Sequence, residues 1–257
     1  MSETQATSTQ SRAQSRIRTA LVTGGGSGIG EAICRKLNED GFRIIVADLD
    51  LKSAERVASC LANGIPLHID VGSQESVEHA AATVSELDVL VNNAGIGLVG
   101  SIEETEASDF EQIMRVNVNS VYYVTRSLLP KLLASRGSII NIASVAGQVG
   151  VKRRFAYCAS KGAVIAMTRQ LAVEYPRELR VNCICPGTVD SPFVAGYIAK
   201  YHVGEEEKIR EELNARQPVG RLGQPNEVAG LVRYLCSPDA DFMQGAAIAI
   251  DGGWTAA

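Results

Sequence analysis

The sequence is poor in aromatic residues, in basic clusters and in long apolar runs. Only 5% of its 257 residues are aromatic, whereas glycine occurs 24 times, a balance that favours aliphatic packing of helices on a sheet over a β-sandwich with aromatic layers. Lysine and arginine number 25 against 29 acidic residues, and both signs are spread along the chain, so we expect no nucleic-acid surface. No run of about 18 apolar residues is present, so we expect no membrane-spanning helix.

Metal-binding and disulfide patterns are also lacking. Histidine occurs only three times, and no pair of Cys or His residues is followed by a second pair at ligand spacing, so we expect no metal site. The six cysteines lie in apolar or helical stretches, which favours reduced, buried thiols. They are Cys34, Cys60, Cys158, Cys183, Cys185 and Cys236.

The first 17 residues are polar and contain no apolar segment. This composition is typical of a disordered arm and not of a secretory signal, and the serine and arginine content leaves an organelle transit peptide as the alternative. About 240 further residues suit one α/β domain, because such folds often run to roughly 250 residues as one unit. We therefore predict a polar arm over 1–17, one domain over 18–257, and a cytoplasmic protein.

Short apolar runs alternate with longer helical patterns from Thr19 onward, which is typical of βαβ units around a parallel sheet. We predict strands over 19–24, 42–48, 64–71, 87–95, 137–144, 180–187 and 246–253. We predict helices over about 29–40, 51–62, from 73, 108–134, 155–174 and 226–235, and an irregular, helix-rich stretch over 188–223. The fold predicted is a single-domain Rossmann fold of the α/β class, with a doubly wound seven-stranded parallel sheet and helices on both faces. Ligands of such sheets bind outside the carboxyl ends of the strands.

A glycine-rich turn, TGGGSGIG, joins the first predicted strand to the first predicted helix. Gly24 and Gly28 allow the turn and the approach of a pyrophosphate to backbone amides, and Gly30 allows close packing of the helix. Ser27 and Ile29 lie in the same turn. A flexible loop is the alternative for glycines alone, but here a strand precedes the turn and a helix follows it, which indicates a dinucleotide site.

Acidic residues end the second and third predicted strands. Asp48 can accept hydrogen bonds from the adenosine ribose hydroxyls and would repel the 2′-phosphate of NADP. No lysine or arginine in the glycine-rich turn could bind that phosphate, so we predict NAD as the cofactor. Asp70 can accept from the adenine amino group beside Val71, and an ordinary turn or a solvated strand end is the alternative for these acids.

Tyr157 is the one tyrosine followed four positions later by a lysine, Lys161, so both side chains lie on one face of the predicted helix. A phenol titrates near pH ~10 and needs a neighbouring cation to shuttle protons at neutral pH, although a surface Tyr/Lys pair is the alternative. The hydroxyl of Ser144, at the end of the fifth predicted strand, could polarise a substrate carbonyl. Asn117 is a poor helix former inside a predicted helix and can bond a helix carbonyl or an ordered water.

Together these motifs resemble the short-chain dehydrogenase/reductase family over nearly the whole chain. The resemblance rests on TGGGSGIG, NNAG, CPG and the ordered tetrad Asn117, Ser144, Tyr157 and Lys161. It implies hydride transfer at the nicotinamide, with Tyr157 as acid or base and Ser144 steadying the substrate oxygen. Lys161 would lower the tyrosine pKa and hold the nicotinamide ribose, and Asn117 would keep a water in the proton relay. The family also implies a homotetramer.

The resemblance implies further contacts with the dinucleotide after strands four and six. The residues that would stabilise the sheet and line the adenine ribose side are Asn92, Ala94 and Gly95. The residues that would meet the nicotinamide and the phosphates are Pro186, Gly187, Val189 and Ser191.

The loop over about 188–223 is where substrate identity usually lies. With RRFAYCASK and IDGGW, it resembles the branch that contains cytosolic type-2 hydroxybutyrate dehydrogenase and the 2-keto-3-deoxy-L-fuconate and rhamnonate dehydrogenases. That branch implies a small substrate with a carboxylate, and Arg154 and Arg216 match its candidate arginines, whose planar forks suit a carboxylate. Tyr197 replaces a third basic residue and could bond a polyol instead. Surface ion pairs with EEEK and REE are the alternative for the arginines.

Three functions are therefore in competition. The first is an NAD-dependent dehydrogenase that oxidises the secondary alcohol of a small hydroxy acid or deoxy-sugar acid. The second is a ketoreductase acting on acyl or cyclic ketones, for which Asp48 is awkward because reductive members commonly prefer NADP. The third is a non-catalytic dinucleotide-binding sensor, which the intact tetrad disfavours. In each case the expected partner is a small molecule and neither a nucleic acid nor a membrane.

Overall fold

A computed structural model describes residues 16–257, which are built around one sheet of seven parallel strands. The strands are β1 (Thr19–Thr23), β2 (Arg43–Asp48), β3 (Gly64–His68), β4 (Val89–Asn92), β5 (Ser138–Ile142), β6 (Arg180–Pro186) and β7 (Ala247–Ile250). Their order in the sheet is β3-β2-β1-β4-β5-β6-β7. The predicted doubly wound α/β sheet is thereby confirmed. Residues 1–15 of the predicted polar arm lie outside the described residues.

Helices cover both faces of this sheet. They are α1 (Gly28–Glu39), α2 (Leu51–Ala58), α3 (Gln74–Thr83), α4 (Ala107–Met114), α5 (Ser120–Ser135), α6 (Phe155–Glu174), α7 (Pro192–Tyr201), α8 (Glu206–Ala215) and α9 (Pro225–Leu235). Successive strand residues point to opposite faces, so Ala20 and Val22 join the core under α1, α2 and α9, whereas Leu21 joins the core under α3, α5 and α6. The central strands β1, β4 and β5 are buried on both faces, whereas the edge strand β3 is largely exposed.

Two differences from the predicted elements bear on the functional residues. Strand β3 ends at His68, so Asp70 and Val71 follow the strand, in a turn where Asp70 Oδ1 accepts from the Gly72 amide at 2.9 Å. The helix predicted over 108–134 contains a π-helical turn at Arg115–Asn119, between α4 and α5. Such turns insert one extra residue per turn and are frequent at functional sites.

The stretch over 188–223, predicted to be irregular and rich in helix, contains two helices, α7 and α8. The two helices share a small apolar core of their own beside the carboxyl edge of the sheet. Its buried members are Val194, Ile198, Ile209, Leu213 and Leu222. The segment is therefore a packed unit that can cover the strand ends.

All six cysteines are free thiols. Four are buried, as predicted, but Cys60 is exposed and Cys158 is half-buried, so the prediction of buried thiols is wrong at these two positions. Burial raises the pKa of Cys236 to about 12. Within residues 16–257 there is no group of three or more His, Cys, Asp or Glu side chains that could hold a metal ion, and no helix is long and apolar enough to cross a membrane.

Candidate active site

A cleft of about 420 Å³ opens at the carboxyl ends of the strands. The glycine-rich turn after β1 lines one end, the segments that follow β4, β5 and β6 line the middle, and α7 and α8 line the other end. A second cavity of about 350 Å³ adjoins it and shares the backbone around Gly24 and the side chain of Asp48. Volumes of this size are typical of sites for small ligands and cofactors.

The glycine-rich turn has the backbone that a pyrophosphate site requires. Gly24 and Gly28 have φ angles of 63° and 55°, in the left-handed region that favours glycine. A Cβ at Gly30 would clash with the carbonyl oxygen of Gly24, so only glycine lets α1 approach the turn this closely. The amino terminus of α1 therefore points at the cleft, where its amide groups favour an anion. Ser27 and Ile29 also line the cleft, as predicted.

The predicted adenosine residues line the second cavity, and Asp48 lines both cavities. Asp48 Oδ2 accepts from the Gly26 amide at 2.9 Å, and Oδ1 accepts from the Asp50 amide at 3.0 Å. The carboxylate is therefore fixed to the glycine-rich turn. Asp70 and Val71 line the second cavity, together with Arg115.

Asn92 lies outside the cleft, contrary to the prediction that it contacts the cofactor. Its Nδ2 donates to Asn141 Oδ1 at 2.9 Å and to Thr125 Oγ1 at 3.2 Å, so it joins β4 to β5 and α5 within the interior. Asn93 lines the cleft instead, and its Nδ2 donates to the Thr23 carbonyl at 2.9 Å. The signal was present in the sequence, because adjacent side chains at a strand end point to opposite sides. Ala94 and Gly95 line the cleft as predicted.

The side chains of Ser144, Tyr157 and Lys161 meet in the middle of the cleft. Ser144 follows β5, and its Oγ accepts from the Ala146 amide at 3.1 Å. Lys161 is 6% exposed, and its Nζ donates to the Ile142 carbonyl at 2.9 Å and lies 5.8 Å from the Tyr157 ring centroid. Burial lowers the pKa of Lys161 to about 8, because it disfavours the charged ammonium.

The electrostatic environment of Tyr157 combines burial with two opposing effects. Burial raises the pKa of its phenol, and the Ser144 hydroxyl and then the Arg154 guanidinium act to lower it. A tyrosine in this setting needs further positive charge in the cleft before it can act as a base near neutral pH.

Asn117 lies in the π-helical turn and does not line the cleft. Its Oδ1 accepts from the Ile96 amide at 2.8 Å, and its Nδ2 donates to the Ile96 carbonyl at 2.9 Å and to Ser160 Oγ at 3.1 Å. The side chain therefore ties the loop after β4 to α6, the helix of Tyr157. The side chain is thus bonded to the loop and to Ser160, and not to a carbonyl of its own helix as one of the predicted alternatives had it.

The segment after β6 lines the cleft as predicted, with Pro186, Gly187, Val189 and Ser191. A buried side chain that the motifs did not single out, Gln217, supports this segment. Its Oε1 accepts from the Thr188 amide at 3.1 Å and would lie 2.6 Å from a Cβ at Gly187. Ser191 Oγ donates to the Val189 carbonyl at 3.2 Å, so its hydroxyl is held within the segment.

The far end of the cleft carries the three predicted substrate residues, Arg154, Tyr197 and Arg216. Arg154 Nη1 donates to the Leu98 carbonyl at 3.1 Å, and its guanidinium carbon lies 4.4 Å from the centroid of the Tyr197 ring. Tyr197 Oη lies 2.8 Å from His202 Nε2, so the hydroxyl already has a partner.

No acidic side chain pairs with Arg154 or Arg216 in the described part of the chain, so the alternative of surface ion pairs is wrong. The charged residues of α8 pair elsewhere: Lys208 with Glu205 at 3.3 Å, and Arg210 with Asp190 at 3.2 Å. The cleft thus holds two guanidinium groups whose carboxylate partner is not supplied by residues 16–257.

Two aromatic residues that the motifs did not single out, Phe193 and Trp254, also line this end. The Phe193 ring centroid lies 6.5 Å from that of Tyr157, and a Cβ at Gly97 would lie 2.7 Å from Phe193 Cζ. These residues come from α7 and from the chain after β7, so only the fold brings them to the cleft. They give the substrate end an apolar wall beside its arginines.

Comparison with known proteins places this site among dehydrogenases. The family model described as enoyl-(acyl carrier protein) reductase matches residues 24–255. Meso-2,3-butanediol dehydrogenase of Serratia marcescens is 36% identical over 246 residues, which cover 93% of this chain and 95% of the relative. 2-Keto-3-deoxy-L-fuconate dehydrogenase of Xanthomonas campestris is 35% identical over 238 residues, covering 91% and 79%. The structure of Thermoplasma acidophilum aldohexose dehydrogenase matches with a TM-score of 0.86 at 33% identity, covering 94% of this chain and 95% of that one.

Proposed function

The chain belongs to the short-chain dehydrogenase/reductase family, and from this premise we propose that it oxidises the secondary alcohol of a small hydroxy acid or deoxy-sugar acid with NAD. It is an oxidoreductase that acts on CH–OH groups with a nicotinamide dinucleotide. The proposal concerns which dinucleotide and which substrate.

The contacts of Asp48 support NAD over NADP. The Asp48 carboxylate accepts a hydrogen bond from the Gly26 amide in the part of the cleft predicted to bind adenosine. There it would accept hydrogen bonds from ribose hydroxyls and repel a 2′-phosphate. Arg56 Nη2 donates to the Gly26 carbonyl at 2.7 Å, and the same nitrogen pairs with Glu31 Oε2 at 2.6 Å. That arginine is therefore neutralised as a partner for the extra phosphate of NADP.

The described residues fit the cofactor, since the glycine turn leaves its backbone free of Cβ atoms and directs the α1 amides at the cleft. When bound, the nicotinamide would supply the acceptor for the hydride that leaves the carbinol carbon of the substrate. Tyr157 takes the hydroxyl proton, and Ser144 donates a hydrogen bond to the oxygen that becomes the carbonyl. Lys161 would hold the nicotinamide ribose, and a water of the proton relay would bond the backbone of Asn117, because the Asn117 side chain is bonded to Ile96.

The observation that carries the substrate class is the pair of arginines without an acidic partner among residues 16–257, Arg154 and Arg216, in one cleft with Tyr157. Arg154 is half-buried and Arg216 is exposed, so both guanidinium groups remain accessible to an anionic ligand. Arg154 uses one nitrogen on Leu98 and keeps its other donors for a carboxylate. A hydroxy acid supplies both the carboxylate and the alcohol.

We propose one domain over 18–257, with the polar arm before it, as the organisation of the chain, and a cytoplasmic homotetramer as its working form. Exposed large apolar side chains on the long helices support the assembly: Tyr122 on α5, and Phe155 and Val173 on α6. Burial of such side chains between copies would remove apolar surface from water.

The experiment compares NADH formation from 3-hydroxybutyrate and from 2,3-butanediol in the parent protein and in Arg154→Ala. A hydrogen bond to a charged group is worth about 1.5–3 kcal/mol, so we expect kcat/KM for the acid to fall about 10- to 150-fold and that for the neutral diol to change little. Arg210→Ala, which removes an exposed arginine paired with Asp190, is the control. Equal losses on both substrates would refute a carboxylate role for Arg154.

A further inference from the structure

Arg153 has a left-handed backbone, with φ at 56°. A side chain at this φ is strained, and glycine is the residue that normally occupies it. Among residues 16–257 one further non-glycine residue has a positive φ, Arg136, which caps the carboxyl end of α5, where a left-handed residue is common. Arg153 instead stands just before the start of α6, where no such cap is needed. Strain of this kind persists only where the surroundings hold it, and it is typical of functional sites.

Two sets of bonds hold Arg153 in this conformation. Its carbonyl accepts from the Gly100 amide at 2.8 Å, and the Phe155 amide donates to the Gly100 carbonyl at 3.2 Å. Its guanidinium donates twice to Glu104, from Nε to Oε2 at 3.0 Å and from Nη2 to Oε1 at 3.0 Å. Glu104 Oε2 also accepts from the Ser101 amide at 2.8 Å, so the carboxylate is itself fixed to the loop after β4.

The left-handed residue separates two adjacent arginines. Arg153 turns to the surface, where its side chain is 62% exposed, whereas Arg154 turns into the cleft. Arg154 is then fixed by the Leu98 carbonyl and by the face of Tyr197. In an ordinary helical or extended conformation at Arg153, the next Cα–Cβ bond would point elsewhere, and the Arg154 guanidinium would leave these two contacts.

We propose that Arg153 and Glu104 form a clamp that aims Arg154 at the carboxylate of the substrate. Both are positioning residues, since they reach the substrate only through Arg154, and the inference rests on the proposed function. An exposed ion pair by itself contributes little to stability. This one differs because its two parallel bonds keep a strained backbone in place, and the position of Arg154 depends on that backbone.

The test measures KM and kcat for 3-hydroxybutyrate and for 2,3-butanediol in Arg153→Ala, Glu104→Gln and Arg153→Gly. We expect KM for the acid to rise about fivefold in the first two variants, with kcat and the KM for the diol within about twofold of the parent. Arg153→Gly removes the same charge but adopts positive φ without strain, so the acid KM should rise less than in Arg153→Ala. A direct effect of the Arg153 charge on the substrate would make these two variants equal, and this result would overturn the clamp.

Asp40→Asn is the matched control, because it breaks another exposed arginine–carboxylate pair with two bonds, Asp40 with Arg233. It should leave both substrates unaffected. Thermal unfolding shows whether each variant is folded. If Arg153→Ala is not folded, Glu104→Gln provides the test, because it leaves Arg153 unchanged.

The outcomes separate this inference from the proposed function. If Arg154→Ala raises the acid KM while Arg153→Ala and Glu104→Gln leave it within twofold, the clamp is wrong and the proposed function stands. If the clamp variants raise KM for the acid and the diol alike, their role is general stability and the clamp is also wrong. If Arg154→Ala has no effect on the acid, or the parent does not oxidise it, the proposed substrate class fails and the clamp with it.

Discussion

The substitution Lys161→Met tests how strongly burial acts on the ammonium at the centre of the cleft. Lys161 is 6% exposed, and burial lowers its pKa from 10.5 to about 8. Methionine has a comparable chain and no charge, so it keeps the packing and removes the cost of burying the ammonium. It also removes the bond from Nζ to the Ile142 carbonyl. The two effects have different pH dependences and can be measured separately.

The magnitude follows from proton linkage. The unfolded chain holds the Lys161 proton up to about pH 10.5 and the folded chain up to about pH 8, so the parent becomes more stable as pH rises through this window. A pKa difference of 10.5 − 8 corresponds to about 3 kcal/mol of destabilisation, present in full below pH 8. The lost hydrogen bond costs the variant about 1–3 kcal/mol at every pH. At pH 7 we therefore expect the variant to be as stable as the parent or more stable.

The assay is urea unfolding of parent and variant at pH 7 and pH 9.5, at one fixed protein concentration because assembly stabilises the folded state. Between these pH values the parent should gain about 2 kcal/mol relative to Lys161→Met, since about 1.5 pH units of the window are crossed. Lys208→Met is the control, because Lys208 is exposed and should show no such gain. A difference between parent and Lys161→Met that is the same at both pH values would refute the lowered pKa of Lys161.

Two further predictions concern catalysis and cofactor choice. Tyr157→Phe removes the proton acceptor and should lower kcat at least about 100-fold while NAD binding, followed by quenching of the single tryptophan, Trp254, is retained; unchanged turnover would exclude Tyr157 as the acid or base. Asp48→Ala removes the carboxylate that disfavours the 2′-phosphate and should raise kcat/KM with NADP relative to NAD about tenfold or more. A parent protein that already favours NADP would contradict the NAD proposal.

Local sequence patterns predicted most of the fold. The apolar runs of β1, β2, β4, β5 and β6 predict strands buried on both faces, and the glycine turn with α1 behind it predicts a dinucleotide fold. The errors lie where tertiary context acts on the backbone. The side chain of Asn117 is bonded to the loop at Ile96 from within a π-helical turn, and no local propensity predicts that turn.

The same division applies to the site. The pairing of Tyr157 with Lys161 could be predicted from their spacing on one helix, because that relation is local. The role of Asp48 could be predicted from its place at the end of the strand that follows the glycine-rich turn, because that relation follows from the order of the strands. The effect of the Arg154 guanidinium on the pKa of Tyr157 was not predicted, although Arg154 precedes Tyr157 by only three residues at the start of α6. The stacking of Arg154 on Tyr197 joins a loop to α7, and sequence separation hides such a contact.

The sequence by itself therefore determined the sheet, the dinucleotide turn and the chemical types in the cleft, because periodicity and turn chemistry act between residues close in the chain. Tertiary structure alone decided which aromatic residues wall the cleft and how Arg153 and Glu104 direct Arg154. These depend on distances between segments far apart in the chain. The function of the site lies in those distances, since proton transfer and carboxylate binding both require atoms held at hydrogen-bonding range.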